Sequence, residues 1–200
     1  KTLKELIIEK SRDLFLDIGF KSVTMDHIAQ EMGISKKTIY NYFKDKTELV
    51  KSVTFNVYSS ITGGISQIKK DSLDPISELY DVQLFIMKFL KGEKNSPLYQ
   101  LQKYYPLIHA ELEKKQFNFM IETTASSLKN GIKLGLFRKD INVDFISRLY
   151  FIGYKGTKNP TIFSTEKFDP KLLMQSYIEY HLRGIVTEKG LKKLNHFINN

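Results

Sequence analysis

The sequence predicts an all-α fold, and three observations carry that expectation. Apolar residues recur at helical spacing along most of the chain. Helix-start signals punctuate it at Thr24, Ser35, Asp45, Asp74-Pro75, Ser96-Pro97, Asp169-Pro170 and Thr187. No stretch alternates apolar and polar residues as a half-buried strand would. Two hundred residues with 42% hydrophobic content suffice for a sizeable core, in one large or two small domains.

The first helix presents Leu3, Leu6, Ile7, Leu14, Phe15 and Ile18 as its core face. Thr24 stands at the N-cap of a second helix, where its hydroxyl can accept a first-turn N–H and Asp26 favours the positive end of the dipole. Ile28, Met32 and Ile39 hold this helix to the next, with Ala29 small enough for a close crossing. Gly33 then turns left-handed without a Cβ penalty, Ile34 tucks inward and Ser35 caps a third helix. Lys36, Lys37 and Thr38 occupy its first turn. Two lysines there oppose the helix dipole, so a facing polyanion would compensate them. Tyr40, Asn41 and Tyr42 add groups able to reach phosphates or base edges. Two short helices around a glycine turn are a helix-turn-helix, which lays its second helix, here Lys36 to Phe43, in a DNA major groove. Asp45 caps a fourth helix with Glu48 at capping-box spacing, which sets Lys46 among free backbone N–H groups.

That fourth helix runs through Leu49, Val53 and Val57 into the sixties, where Gly63-Gly64 is expected to loosen it. Asp74-Pro75 opens a helix through Leu79, Val82, Phe85, Ile86 and Phe89 that ends near Gly92. Ser96-Pro97 starts a short one to about Lys103, and Pro106 a long one to Gly135. Two further helices, 143–158 and 169–184, precede a last one capped by Thr187. Aromatic residues concentrate between 80 and 155, and tyrosines buried among helices need hydroxyl partners.

Leu14-Phe15, Gly19-Phe20, Thr24, Ile28-Ala29, Gly33-Ile34-Ser35, Thr38-Ile39-Tyr40, Tyr42-Phe43, Lys46 and Leu49 together resemble the TetR family of transcriptional regulators, over roughly residues 3 to 50. The resemblance implies an N-terminal three-helix helix-turn-helix DNA-binding domain, residues 1–46, and a C-terminal helical ligand-binding and dimerisation domain, residues 47–200. It also implies a homodimer paired through about 143–158 and 169–184, binding an inverted-repeat operator in double-stranded DNA. Most members are repressors released by a small molecule. By position, Thr24, Ser35, Lys36, Lys37, Thr38, Tyr40, Asn41, Tyr42 and Lys46 fall where the family contacts DNA, with Lys37 standing where many members carry glycine or alanine. An apolar or aromatic effector is expected among residues 80 to 155, with Tyr104, Phe117 and Tyr150 as candidate contacts.

Composition narrows the alternatives. The absence of cysteine removes disulfides, thiol catalysis and thiolate metal sites. His27, His109, His181 and His196 show no metal-ligand spacing, and His109 with Glu113 reads as an ordinary surface pair. Neither a phosphate-binding glycine loop nor a nucleophile elbow is present. We therefore expect no catalytic residues, no metal and no cofactor. With no apolar run of signal-sequence or membrane-span length, a soluble cytoplasmic protein is expected. The net charge of +9 suits a polyanionic partner, yet residues 1–50 hold nine basic against eight acidic side chains. The relevant feature is thus the local run of four lysines from Lys36 to Lys46, not the whole-chain balance. A helical small-molecule carrier or sensor with a non-functional helix-turn-helix is the alternative reading, and an all-helical enzyme a third.

Overall fold

The computed structural model describes residues 1–89 and 97–198. Within them the order is α1 (Leu3–Ile18), α2 (Met25–Met32), α3 (Lys36–Tyr40), α4 (Lys46–Asp71), α5 (Pro75–Phe89), α6 (Pro97–Tyr104), α7 (Pro106–Lys133), α8 (Val143–Thr157), α9 (Pro170–Arg183) and α10 (Glu188–Ile198). The all-α expectation holds: the one extended pairing among the described residues is an isolated bridge between Phe137 and Val186. Gly92 and Ser96, proposed as a helix end and a helix cap, lie outside the described residues. The chain forms two compact units, Lys1–Gly63 with Lys88–Lys115, and Gly64–Met87 with Gln116–Asn200.

The first unit is organised around Ile7, Phe15, Val23, Ile28, Ile39, Phe43 and Leu49, all essentially inaccessible to solvent. Phe15 and Phe20 pack at 5.0 Å between ring centroids. The core line of α1 is Ile7, Ser11, Leu14 and Phe15. Leu6 and Ile18, expected on that face, are 42% and 40% exposed. Leu6 flanks the buried line, and Ile18 is the last residue before the chain turns at Gly19. At the start of α1, Thr2 and Glu5 close a capping box that apolar periodicity did not reveal.

Gly63-Gly64 does not interrupt α4, which continues to Asp71. Gly64 is there for space: a Cβ added to it would meet the Phe85 ring at 2.2 Å. The glycine marks close packing against α5, not a break.

The second unit gathers Ile76, Leu128, Leu136, Phe137, Met174, Ile178, Leu182, Ile185 and Leu194 into its own core. Asp74 starts α5 as expected. Its Oδ1 accepts the N–H groups of Ile76 and Ser77 at 3.0 and 3.1 Å, and its Oδ2 meets Lys193 of α10 at 2.7 Å. Burial would raise this carboxyl, but Lys193 and Ser77 outweigh it and hold the group below the ordinary aspartate value. Thr187 receives the Gly190 N–H and donates to the Gly135 carbonyl at 2.7 Å, so α10 is capped and tied to the end of α7 by one side chain. Helices α8 and α9 pack against each other, with the Tyr177 hydroxyl donating to the Tyr150 carbonyl at 2.7 Å.

Candidate nucleic-acid interface and internal cavity

The local chemistry read from residues 24 to 48 is realised at each cap. Thr24 Oγ1 accepts the His27 N–H at 3.1 Å. Gly33 sits in the left-handed region at φ 64° and closes α2 through the Ala29 and Gln30 carbonyls. Ser35 Oγ accepts the Thr38 N–H at 3.1 Å, and the two hydroxyls share a further hydrogen bond of 2.8 Å. Asp45 Oδ1 accepts the Glu48 N–H at 2.8 Å. Glu48 returns its carboxylate to the Lys44 N–H, one residue earlier than a standard capping box would place it.

The reader segment is shorter as a helix than expected. The α-helix stops at Tyr40, and the Tyr42 and Phe43 N–H groups both turn onto the Ile39 carbonyl. The reason is packing: Ile39 and Phe43 are buried at 0% and 1% exposure, and the tightened turn brings Phe43 into the core. The same turn leaves Lys36, Lys37, Tyr40, Asn41 and Tyr42 exposed on the opposite side. Thr24 and Ser35 are exposed beside them, and Thr38 is half-buried.

Two lysines are placed differently from the simplest expectation. Lys36 is neutralised locally by Asp26 at 2.7 Å, and this hydrogen bond holds its ammonium pKa above the ordinary lysine value. The uncompensated first-turn charge is therefore Lys37 alone, which has no ion-pair partner among the described residues. Lys46 is half-buried and its ammonium donates to the Phe20 carbonyl at 2.5 Å, with burial lowering its pKa. Lys4 adds a cation above the Phe43 ring, 5.5 Å from its centroid.

In the second unit, α5, α8 and α9 enclose a cavity of about 310 Å³, lined by apolar groups including Leu79, Val82, Ile86 and Met174. Of the three proposed contacts, Tyr150 lines it. Phe117 packs edge-on against Phe151, with the Arg148 guanidinium 5.7 Å from its ring centroid. Tyr104 belongs to the first unit, near the ammonium groups of Lys21 and Lys103. The sequence reading missed Gln83, which lines the cavity at 6% exposure with its Nε2 unpartnered. A lone glutamine among Leu79, Val82 and Ile86 on an otherwise apolar stripe was the available signal. Tyr150 and Tyr177 stand by His181, whose imidazole burial lowers to a pKa of about 4.

Helices α8 and α9 also carry an uncovered apolar face. Phe145, Leu149 and Ile152 are 59%, 46% and 64% exposed at i, i+4 and i+7 of α8, and Leu172 and Tyr180 are 61% and 78% exposed on α9. Among the described residues, no His, Asp or Glu cluster of three or more could hold a metal ion, and no helix is long and apolar enough to cross a membrane.

Residues 7–53 match the family model for bacterial regulatory proteins of the tetR family. The HTH-type transcriptional repressor KstR2 of Mycolicibacterium smegmatis is 25% identical over 203 residues, covering 94% of this chain and 93% of that protein. The fold is shared with SmeT, the repressor of the Stenotrophomonas maltophilia multidrug efflux pump SmeDEF. The TM-score is 0.72 at 17% identity, over 94% of this chain and 92% of that one. A transcriptional regulator from Cytophaga hutchinsonii superposes with a TM-score of 0.73 at 19% identity, over 92% and 98% of the two chains. The helix-turn-helix region, residues 7–53, is thus that of the tetR family of bacterial regulatory proteins, and the chain as a whole shares the fold of the regulators just described.

Proposed function

We propose that this regulator is a homodimeric repressor that binds an inverted-repeat operator and is released by a small apolar molecule. The observation that carries the DNA reading is the opposed placement around Ile39. The segment buries Ile39 and Phe43 and turns Lys36, Lys37, Tyr40, Asn41 and Tyr42 to solvent. Residues 1–46 are the reader. Lys37, Tyr40 and Asn41 approach base edges, while Thr24, Tyr42 and Lys46 hold phosphates. Ser35 and Thr38 fix the helix start through their shared hydrogen bond. Lys36 and Lys46 each exchange an internal partner, Asp26 or the Phe20 carbonyl, for the nucleic acid.

Two arguments support a dimer. One reader offers few base contacts, whereas two set about 34 Å apart read a near-palindrome. The apolar faces of 143–158 and 169–184 also lack a cover among the described residues. The cavity between α5, α8 and α9 supports an effector of modest size, since about 310 Å³ lies at the small end of ligand sites. Repression agrees with the naming of KstR2 and SmeT as repressors.

Selection of bound sequences from random DNA tests the reading. A short inverted repeat is the expected product, with affinity falling about three to four decades between 50 and 200 mM salt. Lys46→Ala should weaken all sequences alike, whereas Lys37→Ala should relax preference at particular positions. Absence of enrichment, or a salt-insensitive complex, would contradict it.

A further inference from the structure

The cavity has a direction. Tyr150, Tyr154 and Lys158 follow at i, i+4 and i+8 along α8, so Lys158 lies about 12 Å beyond Tyr150. Helix α9 runs back alongside, with Ile178 near the Tyr150 end and Lys171 at the Lys158 end. Neither lysine has an ion-pair partner among the described residues, and the Lys158 ammonium rests 5.9 Å from the Tyr154 ring centroid. The carboxylate at that end, Asp169, is engaged by the Lys171 and Leu172 N–H groups at 2.9 Å each. One end of the cavity is therefore basic and the shaft apolar. Away from the lysines, the Tyr150 hydroxyl has no hydrogen-bond partner among the described residues. Gln83 is an independent sign of a ligand, because a walled-in amide nitrogen without a partner is costly unless something visits it.

From these features we infer that the cavity takes an elongated apolar carboxylic acid bearing an oxygen function toward its far end. The carboxylate sits between Lys158 and Lys171, and the second oxygen is reached by Tyr150 and Gln83. This rests on the cavity being the effector site, and deepens that reading by assigning charge and polarity to the effector. A neutral or cationic apolar compound would leave the two lysines without a counter-charge. Aromatic or aliphatic bodies both fit the shaft; the acid is what the site selects.

Calorimetric titration of the full chain with 12-hydroxydodecanoate, its methyl ester, dodecanoate and dodecyltrimethylammonium tests the assignment. The hydroxy acid should bind tightest, about tenfold better than its uncharged ester, and this preference should shrink with added salt. The double variant Lys158→Ala/Lys171→Ala should lose that factor for both acids and leave the ester unchanged. Gln83→Leu and Tyr150→Phe should each lower the preference for the hydroxy acid over dodecanoate several-fold. Equal binding of acid and ester, tighter binding of the ammonium compound, or no binding by any probe overturns the inference. Release of operator DNA is measured separately. Binding of the acid without release overturns the regulatory reading and leaves the ligand assignment standing. Release by a neutral compound alone, with no preference for the acid, does the reverse.

Discussion

The interior around Phe43 and the interior around Gln83 answer to different demands. In the first unit, α1 to α4 close on Phe15, Ile28, Ile39 and Phe43 with side chains at or near zero exposure, and the chemistry faces outward on the reader turn. In the second, α5, α8 and α9 leave a hollow and bury polar groups beside it: Gln83, Tyr150 and His181. Burial pushes the Tyr150 hydroxyl pKa upward and the His181 imidazole pKa downward, so both are held neutral. A recognition element gains by rigid packing, because its contacts must be held in register on DNA. A receptor must keep room and unpaired polarity, at some cost in stability. The contrast is one of degree, since Ser11 and Thr54 in the first unit also carry buried hydroxyls without partners. Neither of those lines the cavity.

Three measurements sharpen or break this comparison. The largest effect is expected for Phe43→Ala, which empties a fully packed site and should cost about 3–5 kcal/mol in urea unfolding, with loss of DNA binding. A cost near 1 kcal/mol would show that the reader core relaxes as freely as a cavity wall. Next comes acid. His181 has a folded pKa of about 4, below the ordinary histidine value, so the unfolded chain takes up a proton that the folded chain refuses. Stability is therefore expected to fall as pH drops from about 6.5 toward 4, by up to roughly 3 kcal/mol, with no contribution above that window. Unfolding of the wild type and His181→Phe at pH 7 and 4.5 checks it: the variant should lose less stability over that interval. The smallest effect belongs to Gln83→Leu, which removes the unpartnered amide and should raise stability by about 1 kcal/mol. Destabilisation by that substitution would mean the amide is satisfied in solution.

How far the chain could be read in advance follows the same division. Helix starts were legible because caps are local chemistry: Thr24, Ser35, Asp45, Asp74 and Asp169 each accept N–H groups within three residues of their own position. The outward turn of the reader was legible for a related reason, since Ile39 and Phe43 at four-residue spacing demand one buried face. What escaped depended on distant partners. Lys36 as a partner of Asp26, and Lys46 as a donor to Phe20, required knowing which groups the fold brings together across 10 and 26 positions. Gln83 was visible as a polar residue on an apolar stripe, but only the hollow beside it gives it meaning. Tyr104 and Phe117 are aromatic residues on helices, and aromatic character alone does not separate packing from lining.

Gly63 and Gly64 disfavour helix by roughly 1 kcal/mol each relative to alanine, yet α4 passes through both without a break. The Phe85 ring, seated where the Gly64 side chain would be, is what the missing atom makes room for. The Gly64 side of this stretch is thus packed by a neighbouring ring, while Gly63 has open space beside it. Phe85 lies on α5, whose other side chains, Val82, Gln83 and Ile86, wall the hollow. A ligand that filled the hollow and shifted α5 would therefore loosen the one ring contact that Gly64 makes room for.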